Sequence, residues 1–382
     1  MPVIDTDSHI TEPEDLWTSR MSQKHIDSAP RVVPDPTTGR PRWQVGEHLL
    51  FFATQLNHAG WKEFFPSTPY SWEEADPAGW DAKQRLARMD EMGITAQVLF
   101  PNLLGFSSFA FLGLEPSAAL ECVRVFNDFQ TEWASADPKR LLPQTFLPFW
   151  DLDAALTEMK RCAEMGHKGI NFGLEADKLG LPSVRSGYWD PVFAAAQDLE
   201  LPICFHIGFS ERSAEEQKKR DSTHEDSRQG VKIVAELFLS NAQGIGEVIF
   251  TGVCDRFPRL NFVSVESGFG YVPFLLDSYD WQWKNGQAHK EYPDWLLPSE
   301  YFKRQIYATF WFESGVERQI DLYPDNVMFE SDFPHPTSLS PGPGTTALDA
   351  KDTIAANLSG LPQDNLEKVL YKTASRVFHL DY

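Results

Sequence analysis

The stretch Val3-Ile4-Asp5-Thr6-Asp7-Ser8-His9-Ile10 determines how the rest of the chain is interpreted. An apolar pair opens it, and Asp7 and His9 follow two residues apart. Residues i and i+2 of a strand point to the same face, so these two side chains share one space. A carboxylate and an imidazole that converge at a strand end suit a divalent ion such as zinc, iron or manganese. The alternative is a hydrated N-terminal turn in which Asp7 acts as a cap.

The overall composition is that of a globular, soluble protein. The 382 residues are 42% hydrophobic and 23% charged, which is enough for one large α/β barrel or two ordinary domains. We find no apolar run of membrane-spanning length and no signal-peptide pattern at the N-terminus, so a cytoplasmic enzyme is expected. The net charge of −21 argues against nucleic acid or an anionic membrane as a partner, because both require a basic face.

The cysteines and aromatic residues add two weaker expectations. Cys122, Cys162, Cys204 and Cys254 show no CxxC pairing, which predicts buried, reduced thiols rather than disulfides or a structural zinc site. The 12 tryptophans and 28 phenylalanines belong largely to the core, and those near loops also suit an aromatic or hydrophobic small-molecule substrate.

From residue 81 onward, predicted helices and strands alternate. Asp81–Gly93 has the pattern of an amphipathic helix ended by glycine, and Ala96–Pro101 follows as a buried strand. Further short apolar strands are predicted at 144–148, 168–172, 202–207, 261–266, 306–311 and 327–332. This alternation predicts an α/β fold, a closed parallel (β/α)8 TIM barrel. An open doubly wound sheet is the alternative, but no glycine-rich phosphate loop follows an early strand.

Residues 11–80 interrupt the alternation. Prolines and glycines punctuate the segment, and we predict an elaborated first loop of a single barrel spanning 1–382 rather than a separate domain. Arg42–Val45 is predicted to be a short strand of a hairpin, and His25, His48 and His58 are expected to be ordinary loop residues. The segment's tryptophans suit either a lid or a subunit interface; they are Trp43, Trp61, Trp72 and Trp80.

Polar residues recur at the predicted strand ends, where TIM barrels place their active sites. Asp7 and His9 end the first strand, and His206, Glu266 and Asp332 end later ones. Each residue alone has an ordinary explanation, such as a core histidine or a helix cap. Together they predict a metal site, because burying several carboxylates without a cation is costly.

These stretches resemble the amidohydrolase superfamily, specifically its amidohydrolase-related branch that includes the 2-amino-3-carboxymuconate-semialdehyde decarboxylases. The resembling stretches are Asp5–Pro13, Phe205–Gly208, Val265–Gly268 and Glu330–Pro336, which span nearly the whole chain in the family's order. The resemblance implies a metal held by Asp7, His9, His206 and Asp332. Because barrels of this family often dimerise, it also implies a homodimer.

Two features depart from the family's pattern. The first strand carries Asp-x-His where the family often has His-x-His or Glu-x-His, which favours iron or manganese somewhat more. The decarboxylase members place a histidine where this chain has Glu266, and binuclear relatives use a strand-four lysine or glutamate where this chain offers Asn171. We therefore expect one or two divalent ions (Zn²⁺, Fe²⁺ or Mn²⁺), with Glu266 as a general base or a bridge between two ions. His335 is either an extra ligand, a pocket residue or a residue that orients Asp332.

Hydrolysis is the activity expected first. Metal-activated water would attack an amide, ester or thioester of a small hydrophobic or aromatic substrate, and Asp332 would transfer the proton. The alternative is metal-dependent, non-oxidative decarboxylation of an aromatic or unsaturated carboxylate, against which the missing histidine counts. A non-catalytic binding or scaffold barrel is a third hypothesis, and it predicts no metal.

Some further residues are assigned either to the pocket or to ordinary surface and packing roles. Arg212, Arg220 and His224, after the fifth barrel strand, either reach an anionic substrate or form a solvated charge run. Four residues near other strand ends either line the pocket or pack; they are Phe106, Phe109, Trp311 and Glu313.

Overall fold

The structure is a computed structural model that describes residues 1–209 and 227–382. Within these residues the chain forms one eight-stranded sheet and one three-stranded sheet. In chain order the strands are β1 (Ile4–Ile10), β2 (Arg31–Pro34), β3 (Pro41–Val45), β4 (His48–Phe52), β5 (Ala96–Pro101), β6 (Leu141–Phe146), β7 (Gly169–Asn171), β8 (Ile203–His206), β9 (Phe262–Val265), β10 (Ile306–Phe310) and β11 (Val327–Phe329). The larger sheet has the order β1-β5-β6-β7-β8-β9-β10-β11, and all its pairings are parallel.

The first and last strands of this sheet meet. Ser8 forms a parallel bridge with Phe333, just beyond β11, and His9 N donates to Phe333 O at 2.7 Å. Asp332 N donates to Asp7 O at 3.0 Å in the same seam. The sheet is therefore a nearly closed parallel barrel, and the predicted TIM-barrel fold is confirmed.

The barrel strands are buried on both faces. Every residue of β1 and every residue of β5 is buried. Parallel strands covered on both sides are near-continuous apolar runs, which is why the sequence pattern located them. Polar side chains within such strands therefore require a specific partner or a function.

Helices surround the barrel. Asp81 caps the first long helix by accepting from Lys83 N and Gln84 N, and Gly93 ends that helix with φ of 73°, as the pattern predicts. The longer helices are Ala82–Met92, Pro116–Ala134, Leu152–Glu164, Asp190–Asp198, Ser227–Leu237, Asn241–Phe250, Val272–Asn285, Pro298–Gln305, Glu317–Leu322 and Ala350–Leu358. Short helical segments are Leu103–Phe106, Ser108–Phe111, Val253–Arg256, Ala288–Glu291, Gln363–Glu367, Lys368–Lys372 (a π-helix) and Thr373–Val377.

The segment 11–80 contains the antiparallel sheet β2-β3-β4. The predicted short strand is confirmed as part of β3, but the segment is more regular than a single hairpin. His58 N and Ala59 N both donate to Pro334 O, at 2.8 and 3.1 Å, which ties the segment to the rim of the barrel beyond β11. Trp43 and Trp61 are buried within the chain itself. The assignment of 1–382 to one domain stays a prediction.

One apolar stretch corrects an expectation from the sequence. Arg228–Phe250 is long and apolar enough, by length and composition alone, to cross a membrane. The structure divides most of it into the helices Ser227–Leu237 and Asn241–Phe250, and the second helix buries Ile245, Val248 and Ile249 in the barrel core. The absence of a membrane partner stays a prediction.

Candidate metal centre

Asp7 and His9 lie side by side at the end of β1. Both side chains are fully buried, and Asp7 Oδ1 is 3.4 Å from His9 Nε2. Arg85, also fully buried, fixes the backbone at this point because its Nη2 donates to His9 O at 2.5 Å. Sequence reasoning missed Arg85, since charged residues of an amphipathic helix are expected to face solvent. The two-residue spacing thus places a carboxylate and an imidazole in one buried space.

His206, at the end of β8, faces His9 across this space. Their Nε2 atoms are 3.1 Å apart, and His206 Nε2 is 3.5 Å from Asp7 Oδ1. The Nδ1 atoms contact carbonyl oxygens, His206 with Ile207 O at 2.8 Å and His9 with Pro101 O at 3.3 Å. Each Nδ1 therefore carries hydrogen, and in the neutral rings both Nε2 lone pairs point at each other. A cation between the rings would resolve this repulsion.

Glu266 and Asp332 add carboxylates to the same space. Glu266 Oε2 is 3.4 Å from His206 Nε2, and Asp332 Oδ1 is 3.7 Å from His9 Nε2. Both Asp7 carboxylate oxygens and Glu266 Oε2 are buried without a hydrogen-bond partner in residues 1–209 and 227–382. Buried, partnerless carboxylate oxygens beside imidazole nitrogens are a donor set that fits a divalent cation.

The donor atoms fall into two overlapping groups. One ligand atom from each of Asp7, His9, His206 and Glu266 lies within 4.8 Å of the others, and the same holds for His9, Glu266, Asp332 and His335. The structure thus brings together all the residues that the sequence proposed as ligands. Their roles as ligands stay predictions.

The backbone is strained where the carboxylates leave their strands. Glu266 and Asp332 have φ of 57° and 55°, in the left-handed region that residues other than glycine rarely adopt. Glu266 N donates to Glu330 Oε2 at 3.0 Å, which holds the first of these two conformations in place. Strained backbone that its surroundings hold in place is typical of functional sites.

His335 connects Asp332 to Asn102, a residue that sequence reasoning missed. Its Nδ1 is 2.7 Å from Asp332 Oδ1, and its Nε2 is 2.8 Å from Asn102 Oδ1. Asn102 Nδ2 donates to Ile10 O at 3.1 Å, so the Asn102 oxygen faces His335 and Nε2 carries the hydrogen. Glu12 Oε1 accepts from Asn102 N at 2.9 Å. Asn102 directly follows β5, so its position at a strand end could have identified it.

Burial and mutual repulsion shift the pKa values in the cluster. Burial, followed by the charge of Asp7, raises the pKa of Asp332 to about 7. Burial, followed by the charges of Asp332 and Asp7, raises the pKa of Glu266 well above its ordinary value. For Asp7, burial acts in the same direction, but the imidazoles of His206 and His9 outweigh it and lower the pKa. Burial lowers the pKa of His9 to about 4, so the imidazole favours its neutral, ligating form.

A cavity of about 450 Å³ opens over the cluster. Glu266, His335 and Phe106 line its barrel side, and the segment 11–80 supplies further walls, among them Phe51 and Phe52. Phe106 also stacks on His9, with ring centroids 5.8 Å apart, so its predicted place in the pocket agrees with the geometry.

The other pocket assignments have different outcomes. Phe109, in the helix Ser108–Phe111, contacts His48 of the insertion at a ring-centroid distance of 5.4 Å, which is packing between this helix and the insertion. Glu313 accepts hydrogen bonds from Phe269 N and Gly270 N, which stabilise a loop. Trp311 is fully buried, and Asn171 lines a separate small cavity. Arg212, Arg220 and His224 lie outside the described residues.

The curated relatives that match this chain are decarboxylases. The gamma-resorcylate decarboxylase of Rhizobium sp. (strain MTP-10005) is 24% identical over 308 residues, covering 75% of this chain and 86% of the relative. The 2-amino-3-carboxymuconate-6-semialdehyde decarboxylase of Dictyostelium discoideum is 25% identical over 299 residues, covering 75% of this chain and 76% of the relative. These names contradict the expectation of hydrolysis and favour the alternative activity.

Solved structures share the fold. An amidohydrolase from Mycobacterium avium subsp. paratuberculosis K-10 has a TM-score of 0.78 at 19% identity, with 99% of each chain covered. A dihydroxybenzoic acid decarboxylase from Polaromonas sp. JS666, with bound manganese and the inhibitor 2-nitroresorcinol, has a TM-score of 0.63 at 17% identity, covering 99% of this chain and 97% of that chain. The Amidohydrolase family model (Amidohydro_2) matches residues 4–380, and the resemblance found in the sequence is confirmed: this chain belongs to the amidohydrolase family.

Proposed function

We propose that the protein is a metal-dependent decarboxylase that removes CO₂ from an aromatic or unsaturated carboxylate without an oxidant. The observation that carries the proposal is the buried cluster of carboxylate and imidazole groups beside an aromatic-lined cavity, in which both Asp7 oxygens and Glu266 Oε2 lack a hydrogen-bond partner among the described residues. The named activities of the curated relatives support it.

We assign one divalent ion per chain to this cluster. The two groups of donor residues share His9 and Glu266, so two ions would have to share two of their ligand residues. Asp7, His9, His206 and Asp332 are our ligands, which leaves Glu266 free for chemistry. Mixed imidazole and carboxylate donors suit zinc, iron or manganese, and the manganese of the Polaromonas structure supports manganese among these.

The chemistry requires a proton at the carbon that loses CO₂. A bound ion would supply the positive charge that orients the substrate carboxylate and stabilises negative charge. When the C–C bond breaks, CO₂ leaves, the electron pair stays on the organic carbon, and that carbon must be protonated. Glu266 is our proton donor, because it lines the cavity and burial favours its protonated form.

Asp332 and His335 support this step. Their contact of 2.7 Å holds a proton between carboxylate and imidazole, while Asn102 keeps the other imidazole nitrogen protonated. Thr337 Oγ1 donates to Asp332 Oδ2 at 2.6 Å and orients the carboxylate. We assign to this pair the return of a proton to the site after each turnover.

We further propose that the segment 11–80 covers the active site. Arg40, Phe52 and Phe65 from this segment line the cavity beside Glu266 and His335. Trp43 and Trp61 are buried within the chain, which leaves them unable to form the predicted subunit interface directly. A cover that excludes water strengthens the electrostatic interactions of the site.

Metal content and CO₂ release test the function together. Protein purified without added metal, and protein reconstituted with manganese, are measured by elemental mass spectrometry and incubated with a panel of hydroxybenzoates and unsaturated acids. We expect about one ion per chain and CO₂ equal to the acid consumed. His206→Ala should lose both the metal ion and the release of CO₂. His289 is an exposed histidine of the helix Ala288–Glu291, and His289→Ala should keep the metal ion and the release of CO₂. Wild-type protein that takes up no metal, or holds metal but releases no CO₂ from any acid, would overturn the proposal.

A further inference from the structure

We propose that the substrate is an extended aryl carboxylate whose far end carries a second oxyanion, and that Arg40 binds this oxyanion. The inference rests on the proposed decarboxylation for the reacting end and adds a binding site for the other end. The size of the cavity, its aromatic walls and the position of the Arg40 guanidinium carry it.

The cavity is larger than a single substituted ring requires. Its volume of about 450 Å³ lies within the roughly 300–1,000 Å³ of cavities that hold drug-sized ligands. Glu266, His335 and Thr337 line it from the barrel, and Phe52 and Phe65 line it from the segment 11–80. A ligand that fills this space and places its reacting carboxylate at the metal centre therefore extends to the walls formed by the insertion. Aromatic walls favour further ring or apolar surface along that path.

Arg40 is a preorganised cation in the insertion wall. Its guanidinium lies 4.0 Å from the ring centroid of Phe52 and 4.3 Å from that of Tyr70, so aromatic rings pack against it. Nη2 donates to Thr68 Oγ1 at 2.8 Å and to Pro69 O at 3.0 Å, which fixes the orientation of the group. Nε is buried and finds no hydrogen-bond partner among the described residues.

Arg42, the neighbouring arginine, forms an ion pair that Arg40 lacks. Arg42 also lines the cavity, but its Nη1 forms an ion pair with Asp35 Oδ2 at 2.9 Å, and its Nε donates to Leu50 O. Arg40 forms no such ion pair within residues 1–209 and 227–382; its hydrogen bonds go to neutral acceptors. Asp35 and Glu74 act on the charge of Arg40 without forming an ion pair with it. A cation whose hydrogen bonds go to neutral acceptors is suited to a ligand oxyanion such as a carboxylate.

Binding of matched ligands to the manganese-loaded protein tests the inference without turnover. The probes are a hydroxybiphenyl with a carboxylate at the far 4′ position, its neutral 4′-carboxamide, and phenol, each titrated by calorimetry. We expect the carboxylate to bind about tenfold more tightly than the carboxamide to the wild type. Arg40→Gln should abolish this preference and Arg40→Lys should keep part of it. Arg31→Gln, on β2 of the same sheet and bonded to the carbonyls of Ala29, Ile26 and Asp27, should keep all of it.

Two results would overturn the inference: equal affinity of the wild type for the carboxylate and the carboxamide, or a preference that survives in Arg40→Gln. The comparison within the wild type requires no variant to fold. CO₂ release from hydroxybenzoates without the carboxylate preference would refute the distal site and leave the decarboxylase standing. The carboxylate preference without CO₂ release from any acid would refute the decarboxylase and leave the distal site standing.

Discussion

Glu266 lies where the resemblance to the decarboxylases implies a histidine, and its replacement separates metal binding from chemistry. Glu266→Gln keeps the shape of the side chain but removes the transferable proton. We expect the variant to retain the metal content of the wild type and to lose about 10²–10⁴-fold in the rate of CO₂ release, the usual contribution of a proton-transferring group. The measurements are elemental mass spectrometry and initial rates on the same preparations.

Glu313→Gln is the matched control, because Glu313 follows the neighbouring strand β10 but bonds to Phe269 N and Gly270 N. A glutamine oxygen can accept the same bonds, so its turnover should stay close to that of the wild type. If Glu266→Gln released CO₂ at the wild-type rate, Glu266 would not be the proton donor. If it lost its metal instead, Glu266 would be a ligand.

At the residue scale, strand periodicity accounts for where the candidate ligands lie, and their roles as ligands stay predictions. Asp7 and His9 were located by their two-residue spacing, and His206 and Asp332 by their positions at strand ends. Arg85 and the positive φ of Glu266 and Asp332 were not predictable, because a buried arginine and a strained backbone depend on contacts between residues far apart in the chain.

At the scale of single elements, His167, two residues before β7, makes the free energy of unfolding depend on pH. It is buried between Thr131 and Thr145, whose hydroxyls lie 2.9 and 3.2 Å from its ring nitrogens. Burial lowers its pKa from the ordinary 6.5 to about 4. Between these pH values the unfolded chain binds a proton that the folded chain does not. This residue's contribution to the free energy of unfolding therefore falls as pH drops from 6.5 toward 4, by up to about 1.4 kcal/mol per pH unit.

His167→Gln should flatten this slope relative to the wild type, as measured by urea unfolding at pH 5, 6 and 7. His289→Gln removes an exposed histidine and should leave the slope unchanged. Equal slopes for wild type and His167→Gln would show that His167 is protonated in the folded state as easily as in the unfolded chain.

The sequence predicted the strands that burial makes apolar, and it missed strands that are not apolar throughout. β5 and β8 match the predicted runs, because a parallel strand covered on both faces contains few polar residues. β2 and β4 were missed, because residues such as Arg31, Pro34 and His48 do not alternate clearly with apolar ones. The insertion's place over the cavity depends on its contacts with the rim beyond β11, which no local pattern encodes.

For the whole molecule, the fold was predictable and the activity was not. Alternating strands and helices permit few closed arrangements, so the barrel followed from the pattern. Hydrolysis and decarboxylation were expected to use the same metal ligands, and the histidine that the resemblance implies at the position of Glu266 was missing, which was the reason to expect hydrolysis. That choice was wrong, since the curated relatives are decarboxylases. A carboxylic acid can donate a proton as an imidazolium does, so the residue type at one position does not determine the reaction.

The proposed ion should stabilise the entire barrel, because its ligands join strands that are distant in the chain. Asp7 and His9 belong to β1, His206 ends β8, and Asp332 follows β11 at the seam where the barrel closes. An ion that binds only the folded state contributes about 2.7 kcal/mol when its free concentration is 100 times its Kd. We expect a chelator to lower the midpoint of thermal unfolding by several degrees and manganese to restore it. His206→Ala should unfold at the same temperature with chelator or with manganese, since it cannot bind the ion. If the wild type also unfolded at the same temperature with chelator and with manganese, the cluster would not hold a structural cation, and its carboxylates would have to be buried as neutral acids.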